Sequence, residues 1–172
     1  GVQDLAAEAG ASVAPVADAA ARSEVVVLAL PHAAVAQAVP AMGDLTGKVL
    51  VDATNAVGSG WTPDVGDSPS AVAQVKAMAP GAHVIKAFNT LGNDVLETID
   101  PAESGKRPDA FVAGDEQAKA AVGELASQLG MNMIYLGPLE AAPLIEAVAM
   151  LWIMLAYKVG LGRSFVIETR QL

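Results

Sequence analysis

Short apolar runs alternate along the chain with longer stretches in which apolar residues recur at helical spacing. The most continuous run is Glu24–Pro31 (EVVVLALP), whose β-branched residues and length predict a strand buried on both faces. Pro31 ends this strand because it has no N–H to give to a neighbouring strand. Further strands are predicted at Lys48–Ala53, His83–Phe88, Ala110–Ala113 and Met131–Leu136, and the pattern also admits a last one over Arg163–Glu168.

Helices are predicted between these strands. His32–Met42 follows the first strand, and Ser68 and Pro69 give the N-cap and first turn of the next helix. Asp115 is predicted to cap a third helix, whose apolar residues recur at steps of four, three and four: Ala118, Val122, Leu125 and Leu129. The repeated order of strand and helix predicts an α/β fold with a doubly wound, mostly parallel sheet, in a single domain over residues 1–172.

The most apolar helix is predicted over Pro143–Tyr157, with Gly160 as its C-cap. It is shorter than the roughly 20 apolar residues that cross a bilayer, so we expect no membrane partner. Because its apolar residues surround the axis, the helix belongs in the core or between subunits. A single sheet covers only one side of a helix. The uncovered side predicts a homodimer, with Ile153 among the contact residues.

Composition narrows the functional class. The chain is 53% hydrophobic and 17% charged, and its net charge of −9 disfavours nucleic acid as a partner. It has no cysteine, which excludes disulfides, thiolate catalysis and thiolate-bound zinc. No cationic segment followed by an apolar one opens the sequence, so the cytoplasm is the expected compartment. No catalytic triad, carboxylate pair or metal-ligand cluster is evident, so neither catalytic side chains nor a metal are predicted.

Candidate binding residues follow the three clearest strands, which end in ALPH, DATNAVG and KAFNTLG. Ligands of open α/β sheets bind outside these carboxyl ends. Asn55 and Asn89 follow two of the strands, where a side-chain amide either holds a ligand carboxamide or closes an Asx-turn. His32 either contacts the ligand or is solvated at its helix start. Asp52 ends a buried strand, where a structural hydrogen bond is favoured over acid–base work.

Five segments in order resemble one family: VVVLALPHAAV, GKVLVDATNAVG, VIKAFNTLG, FVAGDEQAK and LGPLEAAPLIEAVAMLWIMLAYKVG. The chain is similar to the coenzyme F420-dependent NADP oxidoreductases, which include NADPH-dependent F420 reductases. The resemblance implies a Rossmann-like fold and direct hydride transfer between NADP(H) and the F420 deazaflavin. Such chemistry needs no acid–base residue, because the cofactors carry it. The predicted cofactor-binding residues are Ala29, Leu30, Pro31, His32, Asn55, Asn89, Thr90, Gly137 and Pro138. Of these, Leu30 and Pro31 resemble the family's cofactor-lining pair, and Gly137 and Pro138 either border the nicotinamide or only form a tight turn.

The sequence also departs from that family. No Gly-rich GxGxxG turn is present, and the strand that carries it would precede Gly1. We therefore expect the predicted strand Glu24–Leu30 to lack a neighbour on one side, and the 172-residue chain to bind dinucleotide weakly. Pro143 and Ala147 replace an arginine and a proline that are usual in the family, on the presumed substrate side.

Alternatives to F420 reduction stay open on the sequence. One is another NADP-linked reductase, acting on flavin or ferric iron. Another is a non-catalytic nucleotide-binding or dimerisation module. NADP is not distinguished from NAD, because the residues that read the 2′-phosphate follow the second strand of such folds.

Overall fold

The computed structural model describes residues 1–99 and 107–170 of the chain. Within them one sheet contains five strands in the spatial order β1-β2-β3-β4-β5. Their bounds are β1 Val25–Leu28, β2 Val49–Asp52, β3 His83–Lys86, β4 Asp109–Gly114 and β5 Asn132–Tyr135. The five main predicted strands are therefore confirmed. The additional strand over Arg163–Glu168 is wrong, because this segment is irregular and pairs with no strand of the described sheet.

Strand direction changes once across the sheet. β1, β2 and β3 are parallel, with Val27 opposite Val51 and Val51 opposite Ile85. β4 runs antiparallel to β3, and β5 is parallel to β4. The carboxyl ends of β1, β2 and β3 thus share one edge of the sheet, which we call the carboxyl edge, while β4 and β5 end at the opposite edge. In the described residues β1 pairs only with β2, which confirms the predicted unpaired side and leaves Val27 47% exposed.

Seven α-helices are present in the described ranges. Their bounds are α1 Val2–Glu8, α2 Val16–Arg22, α3 Val35–Ala41, α4 Ala71–Met78, α5 Asn93–Leu96, α6 Glu116–Gln128 and α7 Ala142–Ile153. Short 3-10 turns, His32–Ala34 and Leu139–Ala141, lead into α3 and α7. A π-helical turn, Met154–Val159, extends α7 to Gly160, whose φ of 87° confirms the predicted C-cap.

Helices cover both faces of the sheet, as a doubly wound fold requires. Residues that alternate along a strand face opposite sides, so Leu50 and Val84 pack into one core and Val51 and Ile85 into the other. The first core contains residues of four helices: Ala20 of α2, Val35 and Val39 of α3, Val72 and Val75 of α4, and Ile145 of α7. The second core contains residues of α6: Ala118, Val122 and Ala126.

The start of α4 differs from the prediction of Ser68 as its N-cap. The helix begins after Ser70, whose Oγ accepts a hydrogen bond from the Ala73 amide at 3.1 Å. Two further amides at the helix start donate to the carboxylate of Glu146, which belongs to α7: Ala71 N at 3.0 Å and Val72 N at 3.1 Å. A residue 75 positions away in the sequence therefore completes the cap.

Asp115 occupies the N-cap position of α6, as predicted, but its side chain does not cap the helix. Its carboxylate instead accepts hydrogen bonds from Lys76 Nζ at 2.9 Å and from the backbone amide of Val84 at 3.0 Å. Asp115 thereby ties the start of α6 to α4 and β3 at the opposite edge of the sheet.

The last helix presents two apolar faces. Its buried face contains Ala142, Ile145, Ala149, Trp152, Ile153 and, in the π-helical turn, Ala156. Ile153 is only 8% exposed and packs with Phe165 and Ile167, so its predicted place in a dimer contact is wrong. The other face has exposed Leu144 and Leu151, with half-buried Val148 and Leu155 between and beyond them. These four residues, at steps of four, three and four, form what we call the apolar stripe.

Counted with its flanking turns, the last helical stretch is longer than predicted. Leu139–Lys158 has 20 residues and, by length and composition alone, could cross a membrane. A core helix of a globular domain passes the same test, and the buried face of α7 packs against the sheet as such a helix does.

Candidate functional site

A cavity of about 650 Å³ opens at the carboxyl edge of the sheet, and we call it the strand-end cavity. The segment after β1 contributes Ala29, Leu30, Pro31 and His32. The segment after β2 contributes Thr54 and Asn55, and the segment after β3 contributes Phe88 and Leu91. The structure thus brings five of the predicted binding residues to one cavity, because β1, β2 and β3 end at the same edge.

Asn55 and Asn89 bind each other across the strand ends. The Asn55 side-chain amide donates to the backbone carbonyl of Asn89 at 3.0 Å, and the Asn89 amide donates to Asn55 Oδ1 at 3.1 Å. Each amide therefore braces the neighbouring loop. Asn89 is 3% exposed, and its Oδ1 is buried with no hydrogen-bond partner among the described residues. This oxygen is an unused acceptor in the loop after β3, whose residues Phe88 and Leu91 line the strand-end cavity, and leaving it unpaired costs free energy.

His32 is not solvated, since both of its ring nitrogens have protein partners. Nε2 lies 3.1 Å from Gln74 Oε1, which can only accept, so Nε2 carries the proton. Nδ1 lies 3.3 Å from the hydroxyl of Thr54. His32 therefore connects the loop after β1 to the loop after β2 and to α4, while it also lines the strand-end cavity.

Gly137 and Pro138 do not join the other candidate residues. They follow β5, which ends at the opposite edge of the sheet, and the Gly137 carbonyl accepts a hydrogen bond from the Gly114 amide there. They therefore do not line the strand-end cavity with the other predicted binding residues. Thr90 does lie at the carboxyl edge, buried directly after Asn89.

A buried charge cluster beneath the strand-end cavity was not predicted from the sequence. Lys86 and Asp52 are both 0% exposed, and Lys86 Nζ lies 2.9 Å from Asp52 Oδ2 and 4.0 Å from Glu146 Oε1. Asp52 Oδ1 accepts a hydrogen bond from the Thr54 amide at 2.9 Å, which confirms its structural role. The available signal was the lysine itself, because a lysine inside a buried strand requires an anionic partner.

A second cavity, of about 420 Å³, adjoins the first, and we call it the aromatic cleft. Trp61 and Tyr157 stack at one side with ring centroids 5.8 Å apart, and Trp152 lies at another. Asn55, Leu91 and Asn93 line both the aromatic cleft and the strand-end cavity. A molecule in one cavity can therefore contact a molecule in the other across these shared residues.

Arg163 stands at the rim of the aromatic cleft with its charge compensated. Its guanidinium forms a fork on the Asp94 carboxylate, with Nε to Oδ2 at 3.1 Å and an Nη to Oδ1 at 2.7 Å. The Tyr157 hydroxyl and then the Asp94 charge raise the pKa of Arg163, so the residue stays protonated. Gly92 is required beside it, because a Cβ there would lie 2.9 Å from the Arg163 carbonyl oxygen and 3.0 Å from the Trp152 ring.

A third cavity, of about 260 Å³, contains both residues that depart from the family pattern. Pro143 and Ala147 line it together with Glu146 and Asn55. Since Asn55 lines all three cavities, these two positions lie next to the strand-end cavity and the aromatic cleft.

Comparison with known proteins gives a consistent assignment. The family model described as NADP oxidoreductase, coenzyme F420-dependent, matches residues 1–56. The crystal structure of a protein from Arthrobacter sp. FB24, proposed to be an F420-dependent NADP reductase, is 31% identical over 92% of this chain and 74% of that one, with a TM-score of 0.79. The chain belongs to the F420-dependent NADP oxidoreductase family.

Two other solved structures are also similar to this member of the F420-dependent NADP oxidoreductase family. A hypothetical protein from Sinorhizobium meliloti is 34% identical, with a TM-score of 0.69 over 79% of this chain and 66% of that one. An imine reductase from Aspergillus terreus, solved with NADPH4 and dibenz[c,e]azepine, shares the fold at 21% identity and a TM-score of 0.65. The chain spans 51% of the length of that imine reductase.

Proposed function

We propose that the protein is an oxidoreductase that transfers a hydride between NADP(H) and the deazaflavin coenzyme F420. Family membership supports an NADP-linked oxidoreductase. The observation that carries the proposal is the pair of adjoining cavities that share Asn55, Leu91 and Asn93. Direct hydride transfer needs two planar rings held in contact, and the shared residues provide one place where two ligands meet.

The strand-end cavity fits the nicotinamide end of the dinucleotide. Asn89 Oδ1 is a buried acceptor with no partner in the described part of the chain, and a carboxamide N–H is the kind of donor that it lacks. Leu30 and Pro31 provide an apolar wall of the same cavity. When bound, the nicotinamide supplies the hydride. The protein orients the ring through the Asn55–Asn89 pair and excludes water with its apolar wall.

The 172 residues of the sequence contain no Gly-rich turn of the kind that binds the pyrophosphate of a dinucleotide. Weak binding of the dinucleotide by this chain therefore stays our prediction. The 2′-phosphate of NADP is also without an assigned partner, so the preference for NADP over NAD derives from the family alone.

The aromatic cleft fits a planar conjugated acceptor. Trp61, Trp152 and Tyr157 offer ring faces or edges, and such contacts favour a flat aromatic ligand over an ion. A deazaflavin and a flavin share this shape, so a flavin reductase is the second candidate. The aromatic rings give less support to the two other functions, a ferric iron reductase and a module that binds nucleotide without catalysis.

The direct test mixes the protein with NADPH in large excess and F420 under anaerobic conditions, and follows the loss of the deazaflavin's visible absorbance. We expect reduction of F420 at a rate proportional to protein concentration, and slower reduction of flavin mononucleotide and ferric citrate in matched assays. Reduction of flavin alone would assign the acceptor to the flavins. Binding of NADPH without turnover of any acceptor would contradict the enzymatic function.

Substitutions on the two sides should separate the two ligands. Asn89→Ala removes the unpaired acceptor and should raise the KM for NADPH by about two- to tenfold, the equivalent of one hydrogen bond. Trp61→Ala removes one ring of the aromatic stack and should raise the KM for F420 by a similar factor. Trp61→Ala should leave the KM for NADPH within about twofold, because Trp61 lines the aromatic cleft and not the strand-end cavity.

Asn132→Ala is the matched control for this pair. Its amide, like that of Asn89, donates one hydrogen bond, in this case to the backbone carbonyl of Arg107 at 3.1 Å, but Asn132 lines neither cavity. It should change neither KM. A lower melting temperature for Asn89→Ala with an unchanged kcat/KM would show that Asn89 is only structural.

A further inference from the structure

Lys86, in the buried charge cluster with Asp52 and Glu146, lines neither the strand-end cavity nor the aromatic cleft. The cluster nevertheless holds the loop after β2, whose residue Asn55 lines both. Lys86 Nζ donates to the backbone carbonyl of Thr54 at 2.6 Å, and Asp52 Oδ1 accepts from the Thr54 backbone amide at 2.9 Å. The ion pair therefore engages both backbone groups of the same residue. These two contacts oppose rotation of the peptide groups on either side of Thr54.

Thr54 passes this restraint to the other two strand-end loops. Its hydroxyl contacts His32 Nδ1 at 3.3 Å, which connects it to the loop after β1. The next residue, Asn55, exchanges hydrogen bonds with Asn89 of the loop after β3. Lys86 is thus connected through Thr54 and Asn55 to the segments after β1, β2 and β3, which form the strand-end cavity.

Stability alone does not account for a charged pair at this place. A buried ion pair loses the hydration of both charges, and apolar residues of similar volume often leave a protein as stable or more so. The neighbouring residues of β2 and β3, such as Val51 and Ile85, are apolar and fully buried. The distinguishing property of Lys86 and Asp52 is their directional hold on Thr54.

We infer that Lys86, together with Asp52, is a positioning residue that sets the Thr54–Asn55 loop so that the Asn55–Asn89 pair is ready for the nicotinamide. The role of the pair in ligand binding rests on the proposed function, whereas the restraint on the loop is a property of the ligand-free protein. Lys86 acts through Thr54 and contacts no ligand.

The test replaces the pair as a unit with Lys86→Met/Asp52→Leu, which leaves neither charge of that pair without its partner. Glu146 keeps its two hydrogen bonds to the amides of α4. We expect a melting temperature close to that of the unmodified protein. NMR of the ligand-free variant should show at least tenfold faster hydrogen exchange of the Asn55 and Asn89 side-chain amides, and its Kd for NADPH should rise by about three- to tenfold.

Lys76→Met is the matched control. Lys76 also pairs with an aspartate, Asp115, at 2.9 Å and donates to a backbone carbonyl, that of Ala82 at 2.8 Å, but it does so at the opposite edge of the sheet. It should leave the exchange of the Asn55 and Asn89 amides and the Kd for NADPH unchanged.

Two results would overturn the inference. One is a folded double variant with wild-type exchange of both amides and wild-type NADPH affinity. The other, which needs no variant, is the finding that these amides exchange freely in the unmodified protein. If the unmodified protein binds no NADPH but exchange still rises only in the double variant, the positioning role stands and the proposed function fails.

Discussion

Replacing Gly114 with alanine is expected to destabilise the protein severely, although the substitution adds a single methyl group. Gly114 ends β4 at the junction with β3 and has a φ of 155°. A Cβ at this position would lie 2.4 Å from Ile85 Cα and 2.5 Å from the Val84 carbonyl oxygen. Both are backbone atoms of β3 and cannot rotate away. We expect a loss of about 3 kcal/mol or more in the free energy of unfolding, or roughly 10 °C in melting temperature.

Gly123→Ala provides the control for that experiment. Gly123 lies inside α6, where the new Cβ would approach only the end of a flexible side chain, Met133 Cε at 3.3 Å. Alanine also favours the helix by about 0.5–1 kcal/mol over glycine. Thermal unfolding should therefore show an unchanged or slightly raised melting temperature for Gly123→Ala. An unchanged melting temperature for Gly114→Ala would mean that the β3–β4 junction yields easily and would contradict the prediction.

The second large effect concerns the apolar stripe of α7. Leu144 is 63% exposed and Leu151 is 53% exposed on a helix whose other face is buried in the core. Soluble monomers rarely expose a continuous apolar surface, so we expect a homodimer in which this stripe meets its copy across a two-fold axis. Each substitution then acts twice in the contact. Leu151→Glu should convert the dimer to monomer in sedimentation experiments, with little change in melting temperature.

Ile153→Glu is the informative partner of Leu151→Glu. It lies two residues further along the same helix but is buried against Phe165 and Ile167. A carboxylate there should unfold the protein or shift its melting temperature strongly downward, since it has no partner in that apolar cluster. Sedimentation of the unmodified protein as a monomer at micromolar concentration would contradict the dimer.

The strands and most helices were predictable from the sequence because their signals are local. β1, β2 and β3 are short apolar runs with clear ends, and the carboxyl edge follows from their parallel order. Asn55, Asn89 and the segment after β1 could therefore be placed at one site without a structure. The apolar periodicity of α6 correctly predicted a helix, and its members Ala118 and Val122 are buried, whereas Leu125 and Leu129 line the strand-end cavity.

The errors have a common cause in contacts between distant parts of the chain. A strand's apolar pattern carries no information on its direction, so the reversal between β3 and β4, and with it the position of Gly137 and Pro138, was not predictable. Ser70 rather than Ser68 caps α4, and the carboxylate of Glu146, from α7, accepts hydrogen bonds from two further amides at the helix start. The segment over Arg163–Glu168 packs on α7 instead of joining the sheet, and the carbonyl of Phe165 accepts the Trp152 indole N–H at 3.0 Å.

The reversal of strand direction has a practical consequence. It separates the loops into two groups on opposite edges, and only the group at the carboxyl edge touches the strand-end cavity. Ala41, the exposed last residue of α3, lies at the far edge, just before the loop that enters β2. Because the sequence contains no cysteine, a thiol introduced by Ala41→Cys would be chemically unique. The protein could then be coupled to an electrode or a resin through that thiol, with the cavity turned toward the solution.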